Sequence, residues 1–484
     1  MLRNGPRIII TSSRASKVPC RRSNTTLVSA LQERGLVKTI TSPQLGIAAE
    51  KAPISLYCGV DPTAASLHVG NLLTLIPVLH FFMRGHHAYA LVGGATGKVG
   101  DPAGKSAERE KMAVRTITSN VDALSAQLTR FFENGSAYAS SRGYNTERFG
   151  RMQVVNNADW YAQLNFMDFM NDVGRNVRLQ SMLARDSVKN RLGSEEGMSF
   201  GEFTYQLLQA YDFWKLYSTH GVTLQIGGSD QYGNITAGID LITRMSSQTS
   251  TPKPNNTSDQ SVEMEKAFGL TVPLLTTPSG EKFGKSAGNA VWLDARMTSP
   301  FDLYQYFLKT PDTHIEAYLR LFTLLPTGEI AAIAAQHQEN PAKRTANRIL
   351  ARELLILVHG IEAYDKVNVA NRVLFPADFR DSAEPLSAST IITAFQDDPA
   401  YKKMNAKEVI GRRISSLLRD CGALSSAKEA QQMIVNGGIH CGDKKITDAK
   451  YCIEREDLLE GHLLVLRIGK NKFTFINLEK ARAS

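Results

Sequence analysis

Acidic side chains are absent before Glu33, whereas Arg3, Arg7, Arg14, Lys17, Arg21 and Arg22 stand there among serine and threonine. A basic, hydroxyl-rich, acid-free leader has the profile of a mitochondrial targeting peptide, drawn toward a negative interior. A disordered basic tail touching RNA is the alternative reading. Cysteine is sparse as well: Cys20, Cys58, Cys421, Cys441 and Cys452 are odd in number and show no CxxC spacing. That excludes a disulfide framework and fits a reducing compartment. His440, Cys441 and Cys452 lack a fourth ligand at zinc spacing, so no protein-bound metal is expected. Long apolar runs are also missing. The longest, Leu72 to Phe82, is interrupted by Pro77 and His80 and falls far short of the roughly 20 residues a membrane helix needs. A soluble protein with no membrane partner is expected.

What charge there is lies at the ends. The chain has 484 residues and a formal net charge of +9. Residues 1–50 hold 8 Lys and Arg against 2 Asp and Glu, and residues 401–484 hold 16 against 10. Each end is therefore +6, which leaves 9 − 12 = −3 for the middle. An enzyme body with polyanion contact at its C-terminal end fits this split, and the length suggests roughly two to four domains.

The stretch from Ile54 to Asp101 organises the rest. Ile54, Leu56, Cys58 and Val60 alternate with shorter or polar residues, as in a strand. Asp61-Pro62-Thr63-Ala64-Ala65-Ser66 breaks it, and Ser66 is placed to cap a helix running from Leu67 to Gly85. His68, Gly70 and Asn71 then fall in its first turn. A second strand, Tyr89 to Val92, ends in Gly93-Gly94-Ala95-Thr96-Gly97-Lys98-Val99-Gly100-Asp101. Two strand ends, a helix N-terminus and bare glycine amides face one crevice, where an open parallel sheet binds a nucleotide or another anion.

Ser66-Leu67-His68-Val69-Gly70-Asn71 resembles the HIGH signature of class I aminoacyl-tRNA synthetases, and Lys282-Phe283-Gly284-Lys285-Ser286 resembles their KMSKS signature. With Tyr57-Cys58-Gly59-Val60-Asp61-Pro62-Thr63-Ala64 ahead and Leu224-Gln225-Ile226-Gly227-Gly228-Ser229-Asp230-Gln231 between, the chain resembles the tyrosyl-tRNA synthetases from about Tyr57 to its end. The resemblance implies ATP, with Mg2+, as substrate, L-tyrosine and tRNA(Tyr) as partners, a homodimer, and, with the leader, the mitochondrial matrix. It assigns Thr63, His68, Asn71, Lys105, Arg109, Lys282 and Lys285 to catalysis. Asp61, Gly70, Asp230, Gln231 and Lys285 would hold ATP, and Tyr57, Asp101, Tyr205, Gln209, Asp212 and Gln225 would hold tyrosine. Asn71 replaces the usual second histidine of HIGH, so a neutral donor must serve there. Asn157 and Trp160 match a family pattern read as support for the site.

Some of this is independent of the resemblance. Tyr205, Gln209 and Asp212, four and three residues apart, share one face of a helix amid the apolar Phe203, Leu207, Leu208, Phe213 and Trp214. Gln225 lies on a buried-type strand, Val222 to Ile226, with Asp230 and Gln231 in the turn after it. A helix from Ile235 to Met245 is expected to run into a polar loop, Ser246 to Asn256.

The expected fold is α/β: a Rossmann-like parallel-sheet catalytic domain (41–280) after a targeting peptide and N-terminal extension (1–40). Leu27 to Val37 suits a short amphipathic helix. A KMSKS-type loop and connector (281–298), an all-helical anticodon-side domain (299–382), a linker (383–408) and a small α+β RNA-binding module (409–484) follow. The last resembles a module of a ribosomal small-subunit protein. Two alternatives stay open: a tryptophanyl-type synthetase, and an added role in structuring group I intron RNA, as in some fungal mitochondrial members of the family.

Overall fold

In this computed structural model the described residues are 25–103, 110–193, 195, 197–249, 265–274, 285–286, 289–375, 386–469 and 472–479. The crevice is carried by β1 (Thr39–Ile40), β2 (Ser55–Val60), β3 (His87–Val92), β4 (Met152–Asn156), β5 (Val222–Gly228) and β6 (Phe268–Val272). They lie in the order β1-β6-β5-β2-β3-β4, parallel throughout except for β1 at the edge. The chain runs from β2 outward through β3 and β4, then returns to place β5 on the other side of β2. The strand order thus reverses between β2 and β5, and their carboxyl ends open the cleft where such sheets bind ligands.

The alternation expected in β2 is not what forms. Leu56, Tyr57 and Cys58 are all buried, because helices cover both faces of a parallel sheet. Leu56 and Cys58 join the main core with Leu124 and Leu128 of the helix Val114–Ser141. Tyr57 points the other way, into a second cluster with Phe213 and Leu216.

The helix after β2 also starts differently. His68, not Ser66, is the cap, and it opens a single 3-10 turn, Val69–Asn71, before the helix Leu72–Met83. The His68 amide donates to Asn71 Oδ1 at 2.9 Å, closing a reciprocal capping box. Ser66 is engaged elsewhere: its hydroxyl donates to the Leu67 carbonyl at 2.7 Å and accepts from the Asp294 amide at 3.0 Å.

The short helix expected within Leu27 to Val37 forms, and it packs into the enzyme body ahead of residue 41. Thr26 caps a helix, Leu27–Glu33, whose Leu27, Val28 and Leu31 are buried in the main core. The Arg34 guanidinium donates to the carbonyls of Arg320 and Thr323, at 3.0 and 2.8 Å, and to that of Leu325. From Thr26 onward the chain is part of the enzyme body. A correction concerns Ser246–Thr249, which continue the helix Tyr232–Thr249 instead of opening the polar loop. Residues 250–256 of that expected loop lie outside the described residues.

Helices Pro300–Leu308, Asp312–Phe322, Thr327–Glu339, Thr345–His359 and Ile361–Leu374 follow. Their core is continuous with that under the sheet. Tyr138 donates to the buried Glu353 at 2.5 Å, and Arg142 pairs with the same carboxylate, so the two layers are joined by a polar bond as well as by packing. The linker expected at 383–408 holds, in its described part, the helix Ala388–Phe395 and the strand Tyr401–Asn405. That strand pairs in parallel with Lys472–Glu479 and so belongs to the C-terminal sheet, ahead of the expected start at 409. Val369 and Ala370 pack with Ile391, Phe395, Leu463 and Phe475, and Arg467 donates to the Leu374 carbonyl at 2.7 Å. The C-terminal module is docked on the helices before it.

Candidate active site

One wall of the cleft is the helix Phe200–His220. The Ser199 hydroxyl accepts from the Glu202 amide at 3.2 Å to start it, and Gly221, at φ +63°, stops it in the left-handed region that suits glycine. A buried pair, Arg191 to Glu202 at 2.7 and 2.9 Å, fixes its first turn. Tyr205, Gln209 and Asp212 do share one face, as their spacing predicts.

Asp212 is buried and accepts from Trp160 Nε1 at 2.9 Å and Asn157 Nδ2 at 3.0 Å. Burial pushes its carboxyl up to about 7, against these donors and with Asp61 adding to the rise. Tyr57 lies alongside, its ring 5.3 Å from that of Phe213, and burial raises its phenol well above the usual value, with Asp212 reinforcing the shift. Tyr57 and Gln225 are register partners on β2 and β5, so their side chains leave the sheet on one face. The Tyr57 hydroxyl and the Gln225 amide oxygen are both buried without a hydrogen-bond partner among the described residues. Unpaired buried polar atoms are costly; two of them on one face of the sheet, Tyr57 next to the Asp212 carboxyl, form a site built for a polar ligand.

Asp61, just past β2, accepts from Tyr205 OH at 2.8 Å and from Thr96 Oγ1 at 2.9 Å. Deeper in the cleft, Asp101 accepts from Gln231 Nε2 at 2.7 Å and Asn234 Nδ2 at 3.3 Å, and Gln209 Nε2 donates to Gln231 at 3.2 Å. Burial raises Asp101 to about 6, and the nearby carboxylates Asp61 and Asp230 add to this. The concentration of negative charge favours a cation. Gly93 is required just past β3, because a Cβ there would lie 2.1 Å from Asp61 Oδ1.

The HIGH-like turn lines the mouth. Thr63 is exposed, while His68, Gly70, Asn71 and Asp230 are half-buried. Val69 donates to Val291 at 2.9 Å, Leu293 donates to Leu67 at 2.8 Å, and the His68 and Trp292 rings are 6.4 Å apart. This bridges the turn to the segment Val291–Leu293, five residues past Ser286 in the chain. Lys285 falls in a short strand, Lys285–Ser286, paired with Asn289–Ala290. Lys105, Arg109 and Lys282 lie outside the described residues. Sequence reasoning missed Thr96 and Asn234. Thr96 stood in the glycine turn unnoticed, and Asn234 follows Gln231 by three, the spacing that puts two residues on one helix face. Asn157 and Trp160 were read only as support; their contact with Asp212 is what that support consists of.

Comparison with known proteins identifies the family. The family described as tRNA synthetases class I (W and Y) matches residues 49–375, and the tyrosine–tRNA ligase C-terminal domain matches residues 391–476. The chain is 39% identical over 460 residues to the mitochondrial tyrosine–tRNA ligase of Saccharomyces cerevisiae, covering 93% of this chain and 89% of that one. It is 38% identical to the mitochondrial enzyme of Drosophila melanogaster, covering 91% of each. A C-terminally truncated mitochondrial tyrosyl-tRNA synthetase of Aspergillus nidulans superposes with a TM-score of 0.65 at 37% identity, covering 72% of this chain and 94% of that one. A cleft at the β2/β5 reversal, the HIGH-like turn bonded to Val291 and Leu293 at its mouth, and matches over nearly the whole length make one case: the chain belongs to the class I aminoacyl-tRNA synthetases, within the tyrosine–tRNA ligase family.

Proposed function

We propose that the chain attaches L-tyrosine to tRNA(Tyr) in two steps through tyrosyl-adenylate. The observation that carries the choice of amino acid is the buried, unpartnered Tyr57 hydroxyl in the field of the buried Asp212 carboxyl. A phenol entering there donates to Asp212 and accepts from Tyr57. Its ammonium group goes to the carboxylate-rich end, where Asp101, Tyr205, Gln209 and Gln225 surround it. An indole lacks the hydroxyl that this pair requires, which disfavours tryptophan.

The tyrosine carboxylate attacks the ATP α-phosphorus, the bond to the bridging oxygen breaks, and pyrophosphate leaves. Positioning and charge stabilisation suffice for this step. Asp61, Asn71, Asp230 and Gln231 line the nucleotide, and Gly70 allows its close approach. Thr63 and His68 donate to its phosphates, and Lys105, Arg109, Lys282 and Lys285 gather the pyrophosphate charge. Mg2+ enters with ATP as part of the substrate. The tRNA 3′ hydroxyl then takes the tyrosyl group and releases AMP.

Exposed apolar side chains, among them Phe166, Met167, Leu179, Leu183 and Phe200, concentrate between residues 166 and 200, which supports a homodimer. A sedimentation mass of one protomer would rule it out. The acid-free leader supports import into the mitochondrial matrix, and the buried helix starting at Leu27 requires cleavage upstream of it. Sequencing the mature N-terminus tests this, and a start beyond Leu31 contradicts it.

The decisive assay is amino-acid-dependent exchange between pyrophosphate and ATP, with tyrosine, phenylalanine and tryptophan compared. Exchange with tyrosine alone, lost in Asp212→Ala, is expected. Exchange driven by another amino acid would overturn the pocket assignment.

A further inference from the structure

Gln127 sits on the helix Val114–Ser141, which supplies none of the described cleft residues above, and it is buried. Its Oε1 accepts from the Leu67 amide at 2.8 Å and lies 3.3 Å from Ser66 Oγ. The Leu67 N–H fixes which way the amide points, because a flipped group would set two donors face to face. Leu67 immediately precedes His68. On its other side, the Leu67 carbonyl accepts from Leu293 at 2.8 Å, and Ser66 Oγ accepts from Asp294. The HIGH-like turn is thus held between Gln127 behind it and the segment after the KFGKS stretch in front.

The remaining end of the same side chain is not satisfied. Gln127 Nε2 is buried with no partner among the described residues. It lines a small cavity shared with Leu67, Arg130, Leu293, Val358 and His359, and His359 Nε2 is likewise unpartnered there. A leucine or methionine would suit such a place better if packing were its purpose, since a buried unpaired donor costs stability.

We infer that Gln127 is a positioning residue for the adenylation step: its side-chain carbonyl sets the height and register of the Ser66–His68 turn, and so the placement of His68 at the ATP phosphates. This rests on the two-step reading above, which wild-type exchange tests separately. If wild type exchanges and the variants below do not behave as stated, only this inference fails.

The test is exchange kinetics on the full chain. Gln127→Met keeps the volume and removes the acceptor, leaving Leu67 N–H unpaired. The expected loss is about 5- to 100-fold in kcat/KM for ATP, the range for an orphaned buried donor. The KM for tyrosine should hold, because that pocket lies across the sheet, with Tyr57 and Phe213, whereas Gln127's helix packs with Leu56 and Cys58. Gln127→Glu keeps the acceptor and should restore most of the ATP parameters. Should the methionine variant not fold, Gln127→Asn, one methylene short of Leu67, carries the same expectation. Unchanged ATP parameters in Met or Asn would overturn the inference, and so would equal losses for both substrates or a glutamate variant as impaired as methionine.

Discussion

At the scale of single residues, the tyrosine end of the cleft is held in a costly state. The Tyr57 hydroxyl is buried and unpartnered, so Tyr57→Phe removes a group that contributes nothing to the free protein. Its melting temperature should equal or exceed that of wild type, while kcat/KM for tyrosine falls roughly 10-fold and discrimination against phenylalanine narrows. A lowered melting temperature would mean the hydroxyl does bond within the fold. Asp101 gives a pH signature. It titrates at about 6 here against an ordinary 3.8. Between those values the folded state binds more protons than the unfolded one, so its contribution to stability is lost as pH rises through about 6. Tyrosine binding runs the other way. The ammonium needs the ionised carboxylate, so KM for tyrosine should climb as pH falls below about 6, by up to about tenfold per unit. Asp101→Asn should bind weakly and lose the part of the slope that lies below about pH 6, leaving only what Asp212, raised to about 7, contributes. A wild-type KM flat from pH 5 to 8 would remove Asp101 from ammonium recognition.

Among elements, the expected N-terminal helix proves to be built into the main core. Leu27, Val28, Leu31 and Leu36 are buried, and Arg34 satisfies three carbonyls at and beyond the end of the helix Asp312–Phe322. Each such side chain contributes on the order of 1.5–3 kcal/mol by burial alone. A protein beginning at Thr41 should therefore melt several degrees below one beginning at Thr25, as read by calorimetry. Equal melting temperatures would show that the helix is dispensable. The helix was legible in the sequence, but its burial in the main core was not, because a basic leader runs straight into it. Only its apolar spacing separates it from the segment before.

For the molecule as a whole, the C-terminal module is fixed to the helices before it by an apolar seam and by Arg467. Val369→Asp places a charge in that seam. Scattering should then report a larger radius of gyration, and tRNA charging should fall while tyrosine-dependent exchange is unchanged. Unchanged charging by a detached module would mean that docking has no part in presenting tRNA. The seam was not legible beforehand. Val369 and Ala370 lie inside the expected helical domain with nothing local to mark a seam, and Tyr401 to Asn405 read as linker, because pairing with Lys472–Glu479 joins strands nearly seventy residues apart.

By itself the sequence determined the parallel sheet with its cleft, the shared face of Tyr205, Gln209 and Asp212, and the two signatures. These follow from local periodicity, from turn residues and from short patterns, all of which act within a few positions of one another. Tertiary structure decided what Asp212 is bonded to, why Tyr57 and Gln225 are left unpaired, that Ser66 serves Asp294 and not a helix end, and that Gln127 stands behind the HIGH-like turn. Each of these is a contact between segments far apart in the chain, where burial fixes which polar groups find a partner and which are kept for a ligand.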